Sequence, residues 1–202
     1  SQLGGNQITT GSGADTIRFY YNANNAPTGA TNTIDVGNGN NLVEVSTTAG
    51  VAADYTINAG SGNDILATAA GADTVFAGGG EDLIYGGYGD DHLHGQGGKD
   101  TISGGAGADI FYFSLSDSAI GTGLRDVISD FSIADSDLLD FTGFGGLAFI
   151  GTSTFSATAG EVRYDYSGST TIIDIDSDGN GMADSQIQLS GLIALGSSDF
   201  LL

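Results

Sequence analysis

A short hydrophobic period runs through the middle of the chain. An aspartate recurs every nine residues, and one apolar residue follows it two positions later. Each aspartate ends a glycine-rich run, and because glycine tolerates positive φ the run predicts a turn. Side chains alternate across a strand, so a polar–apolar–polar segment predicts a short strand with one inward side chain. The aspartates are Asp64, Asp73, Asp82, Asp91, Asp100 and Asp109, and the apolar residues are Leu66, Val75, Ile84, Leu93, Ile102 and Phe111.

Two looser windows precede this run. Thr10–Arg18 and Val36–Glu44 keep the same order of residues, although Asn41 stands where an aspartate is expected. The pattern therefore predicts further coils of the same kind, separated by insertions. The predicted strands between the windows are Thr33–Val36 and Tyr55–Asn58, and the predicted insertions are Phe19–Ala30 and Val45–Ala53.

Composition narrows the class of protein. The chain of 202 residues has 25 acidic and 4 basic residues, a net charge of −21, and no cysteine. A disulfide scaffold and a thiolate zinc site are therefore excluded. Binding to nucleic acid through phosphates, or to anionic membranes, is disfavoured by the charge. No apolar run is long enough to span a membrane, and no N-terminal secretion signal is evident.

The acidic residues raise a folding problem, because crowded carboxylates repel one another. All but three of them are aspartates, and short carboxylates beside flexible glycine suit the oxygen-ligand loops that bind hard cations. The alternative is a solvated acidic surface on a salt-tolerant protein. Composition does not separate the two interpretations, whereas the regular placement of the aspartates favours the cation.

The windows resemble the repeats-in-toxin (RTX) family, whose unit is G-G-x-G-x-D-x-U-x with an apolar U. The resemblance is strong over residues 59–112 and looser over residues 10–44. It implies an all-β fold, namely a right-handed parallel β-roll of nonapeptide repeats with a C-terminal β-rich cap. Two windows would form one coil, so aspartates eighteen residues apart would stack, with Ca²⁺ between successive turns. We divide the chain accordingly into residues 1–58, 59–112 and 113–202.

The resemblance also implies a ligand set. Ions would lie at Asp64/Asp82, Asp82/Asp100, Asp73/Asp91 and Asp91/Asp109, and the site of the turn that carries Ala69 and Ala70 should be weaker. Carbonyl oxygens of the turn glycines would complete the sites: Gly60, Gly62, Gly78, Gly80, Gly87, Gly89, Gly97, Gly98, Gly105 and Gly107.

Two later aspartates extend this pattern. Asp117 lies seventeen residues after Asp100, and Asp126 lies seventeen residues after Asp109. A deletion of one residue would place each on the same edge as its predecessor, where it would cap the last site. The alternative is that both are ordinary turn aspartates.

The last third of the chain carries two further signals. Residues 125–131 and 135–141 resemble the segment that follows the repeats in serralysin-type metalloproteases, and we expect them to form strands that cap the roll. Asp176, Asp178, Asn180 and Asp184 follow the D-x-D-x-N-G opening of a calcium loop. Because the flanks, Thr170–Ile175 and Gln186–Leu189, read as strands, a plain hairpin is the alternative to an ion site.

The final residues, Leu195–Leu202, resemble the uncleaved C-terminal signal of type I secretion substrates, with a last strand as the alternative. There is no H-E-x-x-H, G-x-S-x-G or P-loop motif. We therefore expect a non-catalytic calcium-binding domain, the C-terminal part of a larger exported bacterial protein. It would be secreted, either free or associated with the cell surface, with a type I exporter as its transient partner.

Two alternatives come from other classes. The chain could be a surface-layer, adhesin or polysaccharide-binding module, or it could be the non-catalytic part of a secreted protease, lipase or epimerase. A glycan or a surface-layer neighbour would then be the partner. The loop that carries Tyr20, Tyr21, Asn22, Asn24 and Asn25 is the candidate contact.

Overall fold

The computed structural model describes residues 6–21, 31–47, 51–121 and 123–202. This part of the chain is almost entirely β-structure, as predicted. Two short 3₁₀ helices span Thr142–Phe144 and Ser197–Asp199. The strands are β1 (Gln7–Thr9), β2 (Thr16–Tyr21), β3 (Asn32–Gly37), β4 (Leu42–Thr47), β5 (Tyr55–Ala59), β6 (Ile65–Ala67), β7 (Thr74–Gly80), β8 (Leu83–Tyr88), β9 (His92–Gly98), β10 (Thr101–Ala106), β11 (Ile110–Tyr112), β12 (Asp126–Ile128), β13 (Leu138–Asp140), β14 (Ala148–Phe149), β15 (Glu161–Ser167), β16 (Thr170–Asp176), β17 (Ser185–Ser190) and β18 (Phe200–Leu201).

The strands form two sheets, and from β1 to β13 each strand lies in the opposite sheet from the strand before it. The first sheet has the order β1-β3-β5-β7-β9-β11-β13-β18, and the second contains β2, β4, β6, β8, β10 and β12 as neighbours. All of these neighbours are parallel, and Leu66 pairs with Ile84 and Val75 with Leu93, eighteen residues apart. The β-roll fold and its period of two windows per coil are thereby confirmed.

The core lies between the two sheets. The eighth position of the window supplies the main inward side chain of each strand, and because side chains alternate, residues two positions later, such as Val45 and Ala77, are buried as well. The main inward side chains form two facing columns, each residue at most 1% exposed: Val43, Leu66, Ile84, Ile102 and Ile128 from the second sheet, and Ile34, Ile57, Val75, Leu93, Phe111 and Leu139 from the first.

The roll continues beyond the last nonapeptide. We expected residues 125–131 and 135–141 to cap the roll, but β12 pairs in parallel with β10, and β13 pairs in parallel with β11. They therefore add another coil. The predicted insertions are also shorter at their start, because Phe19 lies in β2 and Val45 is a buried residue of β4. Residues 22–30 of the first insertion and 48–50 of the second lie outside the described residues, and Val51 and Ala53 of the second are buried.

The cap is formed by the segments that follow. Strands β15, β16 and β17 are antiparallel, and β17 joins the second sheet beside β12. Strand β18 extends the first sheet beside β13. Aromatic rings fill the junction, with Phe141 and Phe149 at 5.7 and 4.8 Å from Phe200, centroid to centroid. The edges of the last coil are thus covered, as an open roll requires.

Candidate metal centre

Tight stacking of the turns explains their glycines. The fourth position of each window has positive φ, for example 149° at Gly80 and 133° at Gly98. A Cβ atom added at Gly98 would collide with the carbonyl oxygen of Gly80 in the coil before it. Glycine alone adopts this positive φ and avoids the collision without strain, because it has no Cβ atom. The turns therefore lie directly over one another, which brings the aspartates that follow them into two rows.

One glycine predicted as a ligand, Gly97, stands at a different position of its window from the others. Strands β7 and β9 pair Gly78 with Gln96 and Gly79 with Gly97. Gly97 is thus at the third position, and the residue equivalent to the predicted glycines is Gln96, with φ of 66°. Left-handed backbone costs a residue with a side chain about 1–2 kcal/mol, so this turn carries strain that the equivalent glycines avoid.

Each aspartate at the sixth position is tied to the coil before it by one carboxylate oxygen. The backbone N–H of Asp64 donates to Oδ1 of Asp82 over 2.7 Å, and that of Asp82 donates to Oδ1 of Asp100 over 2.9 Å. On the other edge, Asp73 donates to Asp91 over 2.8 Å and Asp91 to Asp109 over 3.0 Å. We call Asp64, Asp73, Asp82, Asp91, Asp100 and Asp109 the roll aspartates.

The second oxygen of every roll aspartate has no such partner. All six side chains are at most 3% exposed. Within the described part of the chain, Oδ2 of each is buried and lacks a hydrogen-bond partner. A buried, unpartnered acceptor costs about 1–3 kcal/mol, and more when it is charged. The same defect repeated along two rows indicates positions that a ligand fills.

The electrostatics lead to the same conclusion. Burial, together with the carboxylates of Asp73 and Asp109, raises the pKa of Asp91 to about 8. Burial, together with Asp82, Asp117 and Glu81, raises the pKa of Asp100 to about 7. Burial also raises the pKa values of Asp73, Asp82 and Asp109 to about 6. A cation between the turns would remove both the desolvation penalty and the repulsion.

The ends of the two rows differ from the expectation. The N–H of Asp100 donates to Oδ1 of Asp126 over 2.7 Å, so Asp126 stacks on Asp100 and not on Asp109. The residue above Asp109 is Asp137, whose Oδ1 accepts its N–H over 3.0 Å. Asp126 keeps a buried Oδ2 without a partner, whereas Oδ2 of Asp137 accepts the N–H of Ser132 over 2.8 Å.

Sequence reasoning missed Asp137, although a signal was present. Asp126 and Asp137 are each followed by an apolar pair in which the second residue, Ile128 or Leu139, is fully buried, as in the regular windows. The equality of two seventeen-residue spacings is accidental, because the insertions between coils have different lengths. The actual steps are 26 residues from Asp100 and 28 from Asp109.

Asp117 does not occupy a place in either row. Its carboxylate accepts the N–H of Ser114 over 2.7 Å and the Ser114 hydroxyl over 2.8 Å. It nevertheless lies close enough to contribute to the raised pKa values of Asp100 and Asp126. Asp117 is therefore a turn-capping residue at the margin of the last site.

The acidic loop of the C-terminal hairpin, residues 176–184, has a different character. Oxygens of Asp176, Asp178 and Asp184 lie within 4.8 Å of one another. The loop itself satisfies them, since Asp176 accepts the N–H groups of Gly179 and Gly181 over 2.7 and 2.8 Å.

The remaining polar groups of this loop are paired in the same way. The hydroxyl of Ser177 donates to Asp184 over 2.6 Å and is the main cause of the lowered pKa of Asp184. The side-chain amide of Asn180 donates to Oδ2 of Asp178 over 3.0 Å. The four predicted residues of this loop are thus brought together, but their own turn completes their hydrogen bonds.

The donor set of the roll fits calcium. It contains paired carboxylates and backbone carbonyls in glycine turns, all of them oxygen ligands, and no thiolate. Calcium prefers six to eight such oxygens in flexible geometry. The buried Oδ2 atoms provide the independent sign that an ion belongs there.

Comparison with known proteins agrees with this assignment. A family model described as "Peptidase M10 serralysin C terminal" matches residues 6–202. The chain belongs to this family. Serralysin C-terminal domains are the non-catalytic, RTX-type parts of secreted proteins, and calcium binding is general in the RTX family.

Solved structures resemble the serralysin C-terminal domain described here. The AlgE6R3 subunit from the Azotobacter vinelandii mannuronan C5-epimerase shares 27% identity with it, with a TM-score of 0.52, over 69% of this chain and 77% of that chain. The AlgE6R2 subunit of the same enzyme shares 24% identity, with a TM-score of 0.46, over 71% of this chain and 88% of that chain. No curated protein matches the chain. Among the described residues, no helix is long and apolar enough to cross a membrane.

Proposed function

We propose that this domain folds on binding Ca²⁺ outside the cell and serves as the C-terminal secretion domain of a larger exported bacterial protein. One observation carries the proposal. Six buried aspartates stand in two stacked rows, and each keeps one buried carboxylate oxygen without a hydrogen-bond partner. A fold with this defect repeated in every coil is incomplete without a cation.

The residues define where ions would bind. Both members of a pair offer a free, buried oxygen at Asp64/Asp82, Asp82/Asp100 and Asp100/Asp126 on one edge, and at Asp73/Asp91 and Asp91/Asp109 on the other. We therefore propose five roll sites. Turn carbonyls, such as those of the glycines named above with Gln96 in place of Gly97, complete them. Bound calcium would supply the positive charge that both carboxylates and the carbonyl dipoles lack.

Further residues have weaker claims. The hairpin loop with Asp176, Asp178, Asn180 and Asp184 would hold a sixth ion, of lower affinity because ion binding must compete with existing hydrogen bonds. At the Asp109/Asp137 position, Asp137 already accepts the N–H of Ser132, and Asp117 already accepts the N–H of Ser114. We assign no ion to these two positions.

Linkage between calcium binding and folding makes the folding of the roll depend on the calcium concentration. At low calcium the roll aspartates repel one another and the glycine turns gain nothing by ordering, so the roll stays unfolded and able to pass an exporter. Outside the cell, calcium above a Kd on the order of 10⁻⁴–10⁻³ M, the range of extracellular calcium modules, drives folding by mass action. The cap would nucleate the roll.

Calcium titration followed by circular dichroism tests this proposal, with bound ions counted by native mass spectrometry. We expect little sheet signal in EDTA, a steep gain on adding Ca²⁺, and about five tightly bound ions. Asp82→Asn should remove the two ions that share Asp82. Asp165→Asn, at an exposed residue of β15, is the matched control and should change neither. A roll that is fully folded in EDTA, or that binds no ion, would contradict the proposal.

The secretion role rests on the C-terminal segment. Phe200 packs in the cap, whereas Leu201 and Leu202 are 37% and 38% exposed at the end of the first sheet. Export of a fusion from a host with a type I exporter tests the assignment. We expect Leu201→Asp with Leu202→Asp to abolish export, and Leu192→Asp, which is also exposed, to permit it. Equal export of both variants would remove the signal from this segment.

A polysaccharide-binding role has less support. The rings of Phe76, His94 and Tyr112 form a row across the first sheet, but they stack on one another at 4.4 and 4.7 Å. The faces of His94 are therefore turned to its neighbours and not toward a sugar. The predicted contact loop lies largely outside the described residues, which include Tyr20 but not Asn22, Asn24 or Asn25. A net charge of −21 also disfavours an anionic glycan.

A further inference from the structure

One early turn of the roll is completed in a different way. Asn41 occupies the sixth position on the edge of Asp64, and it is only 3% exposed. Its Oδ1 accepts the N–H of Asp15 over 3.0 Å, which is the bond that each roll aspartate makes to the coil before it. The N–H of Asn41 in turn donates to Oδ1 of Asp64 over 2.6 Å. Asn41 is therefore a regular member of the row.

The second arm of this side chain has partners where the aspartates have none. Nδ2 of Asn41 donates to the carbonyl oxygens of Gly37 and Gly39 over 3.2 and 2.8 Å. Those glycines hold the second and fourth positions of the turn, the positions whose carbonyls are candidate ligands elsewhere. The amide orientation follows from these partners, because a carbonyl can only accept and a backbone N–H can only donate.

Asn32 lies on the other edge, in the same coil as Asn41. It is 2% exposed and pairs in the strand register with Tyr55, whose N–H in turn donates to Asp73, so Asn32 lies two coils before Asp73. Its Oδ1 accepts the N–H of Asn6 over 3.2 Å, and its Nδ2 donates to the carbonyl oxygen of Asp54 over 3.3 Å. The amide of Asn32 thus bonds to the next coil and not to its own turn, and Tyr55 stands between it and the first carboxylate of its edge.

We propose that the amide of Asn41 replaces calcium at its turn, so that calcium dependence on this edge of the roll begins at Asp64. This inference rests on the proposed function. An amide NH₂ group brings hydrogen-bond donors to the turn carbonyls and carries no charge to be neutralised. It also excludes a cation, because the donors occupy the place where the ion would bind. The turn of Asn41 is therefore complete without an ion, whereas Asp15, one coil earlier, keeps a buried Oδ2 without a partner.

Asn41→Asp is the direct test, with bound calcium counted by native mass spectrometry at saturating Ca²⁺. We expect this variant to bind two ions more than the unsubstituted protein, one between position 41 and Asp64 and one between position 41 and Asp15, since Oδ2 of both aspartates is buried without a partner. Asn40→Asp is the matched control, since it adds the same charge at the neighbouring, exposed residue. It should leave the count unchanged. An unchanged count in folded Asn41→Asp, or an equal gain in the control, would overturn the inference.

A second pair of variants tests the inference in the opposite direction. Asp82→Asn should bind two ions fewer, and in EDTA it should protect the adjacent turn from hydrogen exchange better than Asp82→Ala, because its amide can donate as that of Asn41 does. Equal exchange in the two variants would contradict the inference. The two proposals remain separable: an unsubstituted protein that binds no calcium refutes the proposed function, whereas normal binding without the gain at position 41 refutes only this inference.

Discussion

The roll edges and the hairpin loop are both rich in aspartate, yet they treat their carboxylates in opposite ways. In the roll, one oxygen of each aspartate accepts a neighbouring N–H and the other is buried without a partner. In the hairpin loop, Asp176 and Asp184 accept bonds from their own turn through N–H groups and a hydroxyl. The pKa of Asp91 is accordingly raised and that of Asp184 lowered. An acidic cluster therefore requires an ion only when its own backbone leaves oxygens unsatisfied.

Removal of calcium should separate the two regions most strongly. In EDTA we expect the amide hydrogens of β7 to β10 to lose nearly all protection from exchange, because the roll aspartates then repel in a dry interior. Those of β15 and β16 should keep a large part of their protection. Hydrogen exchange with mass spectrometry measures both in one sample. Equal loss in the two regions would show that the hairpin depends on ions as well.

Single substitutions should give the next largest difference. Asp100→Asn removes a carboxylate shared by two proposed sites, and we expect it to lower the free energy of unfolding in Ca²⁺ by roughly 3–5 kcal/mol, as for a broken buried ion pair. Asp178→Asn, in the hairpin loop, should cost less than about 1 kcal/mol. Chemical denaturation at fixed calcium compares them. Similar costs would remove the distinction between the regions.

Acid should act on the two regions with opposite sign when calcium is absent. The folded-state pKa values of Asp91 and Asp126 are raised to about 8. Protonation of these two carboxyls therefore stabilises the folded roll. This stabilisation is complete near pH 4 and is lost as the pH rises through about 8. The pKa of Asp184 is lowered, so its contribution is present above the ordinary pKa and lost as the pH falls below it.

Exchange measurements in EDTA at pH 5 and pH 7.5, corrected for the intrinsic rate, test this sign. The roll should be better protected at pH 5. With saturating Ca²⁺ the order should reverse, since protons compete for the same carboxylates. A roll that loses protection on acidification in EDTA would contradict the raised pKa values.

The smallest effect concerns the backbone of one roll turn. Gln96→Gly should raise the stability of the roll by about 1 kcal/mol, because it relieves left-handed strain in a residue with a side chain. Ser61→Gly, at a third position without positive φ, is the control and should give no gain. Denaturation in Ca²⁺ measures both. No gain from Gln96→Gly would indicate that the strain is offset by contacts of the glutamine side chain.

The regular part of the fold could be predicted from the sequence, because each nine-residue window corresponds to one turn and one strand. One turn and one inward residue per window place Leu66 over Ile84 and Val75 over Leu93, as the structure confirms. The last coil could not be placed by counting, since nothing in the spacing gives the lengths of the insertions before Asp126 and Asp137. The local pattern of an acid followed by two apolar residues would have found both.

The candidate site could be predicted only in part. The rows of aspartates follow from the period, but which oxygens lack partners depends on backbone contacts between coils. Asn41 reads in the sequence as a lost ligand, whereas the structure shows that its amide completes the turn. The sequence of the hairpin loop predicts a calcium motif, but Ser177 and the loop backbone already donate hydrogen bonds to its carboxylates.

The hydrogen bonds between coils also give the roll a polarity. Each sixth-position carboxylate or amide accepts the N–H of the coil before it, so Asp82 secures Asp64, and Asp100 secures Asp82. Disorder in one coil consequently removes the acceptor from the coil before it, toward the N-terminus, whereas the coil after it keeps its own hydrogen bond. Asn41 lies near the N-terminal end of this series of hydrogen bonds, whereas Asp126 and Asp137 accept the N–H groups of the last turns at the capped end, from which the coils before them are ordered.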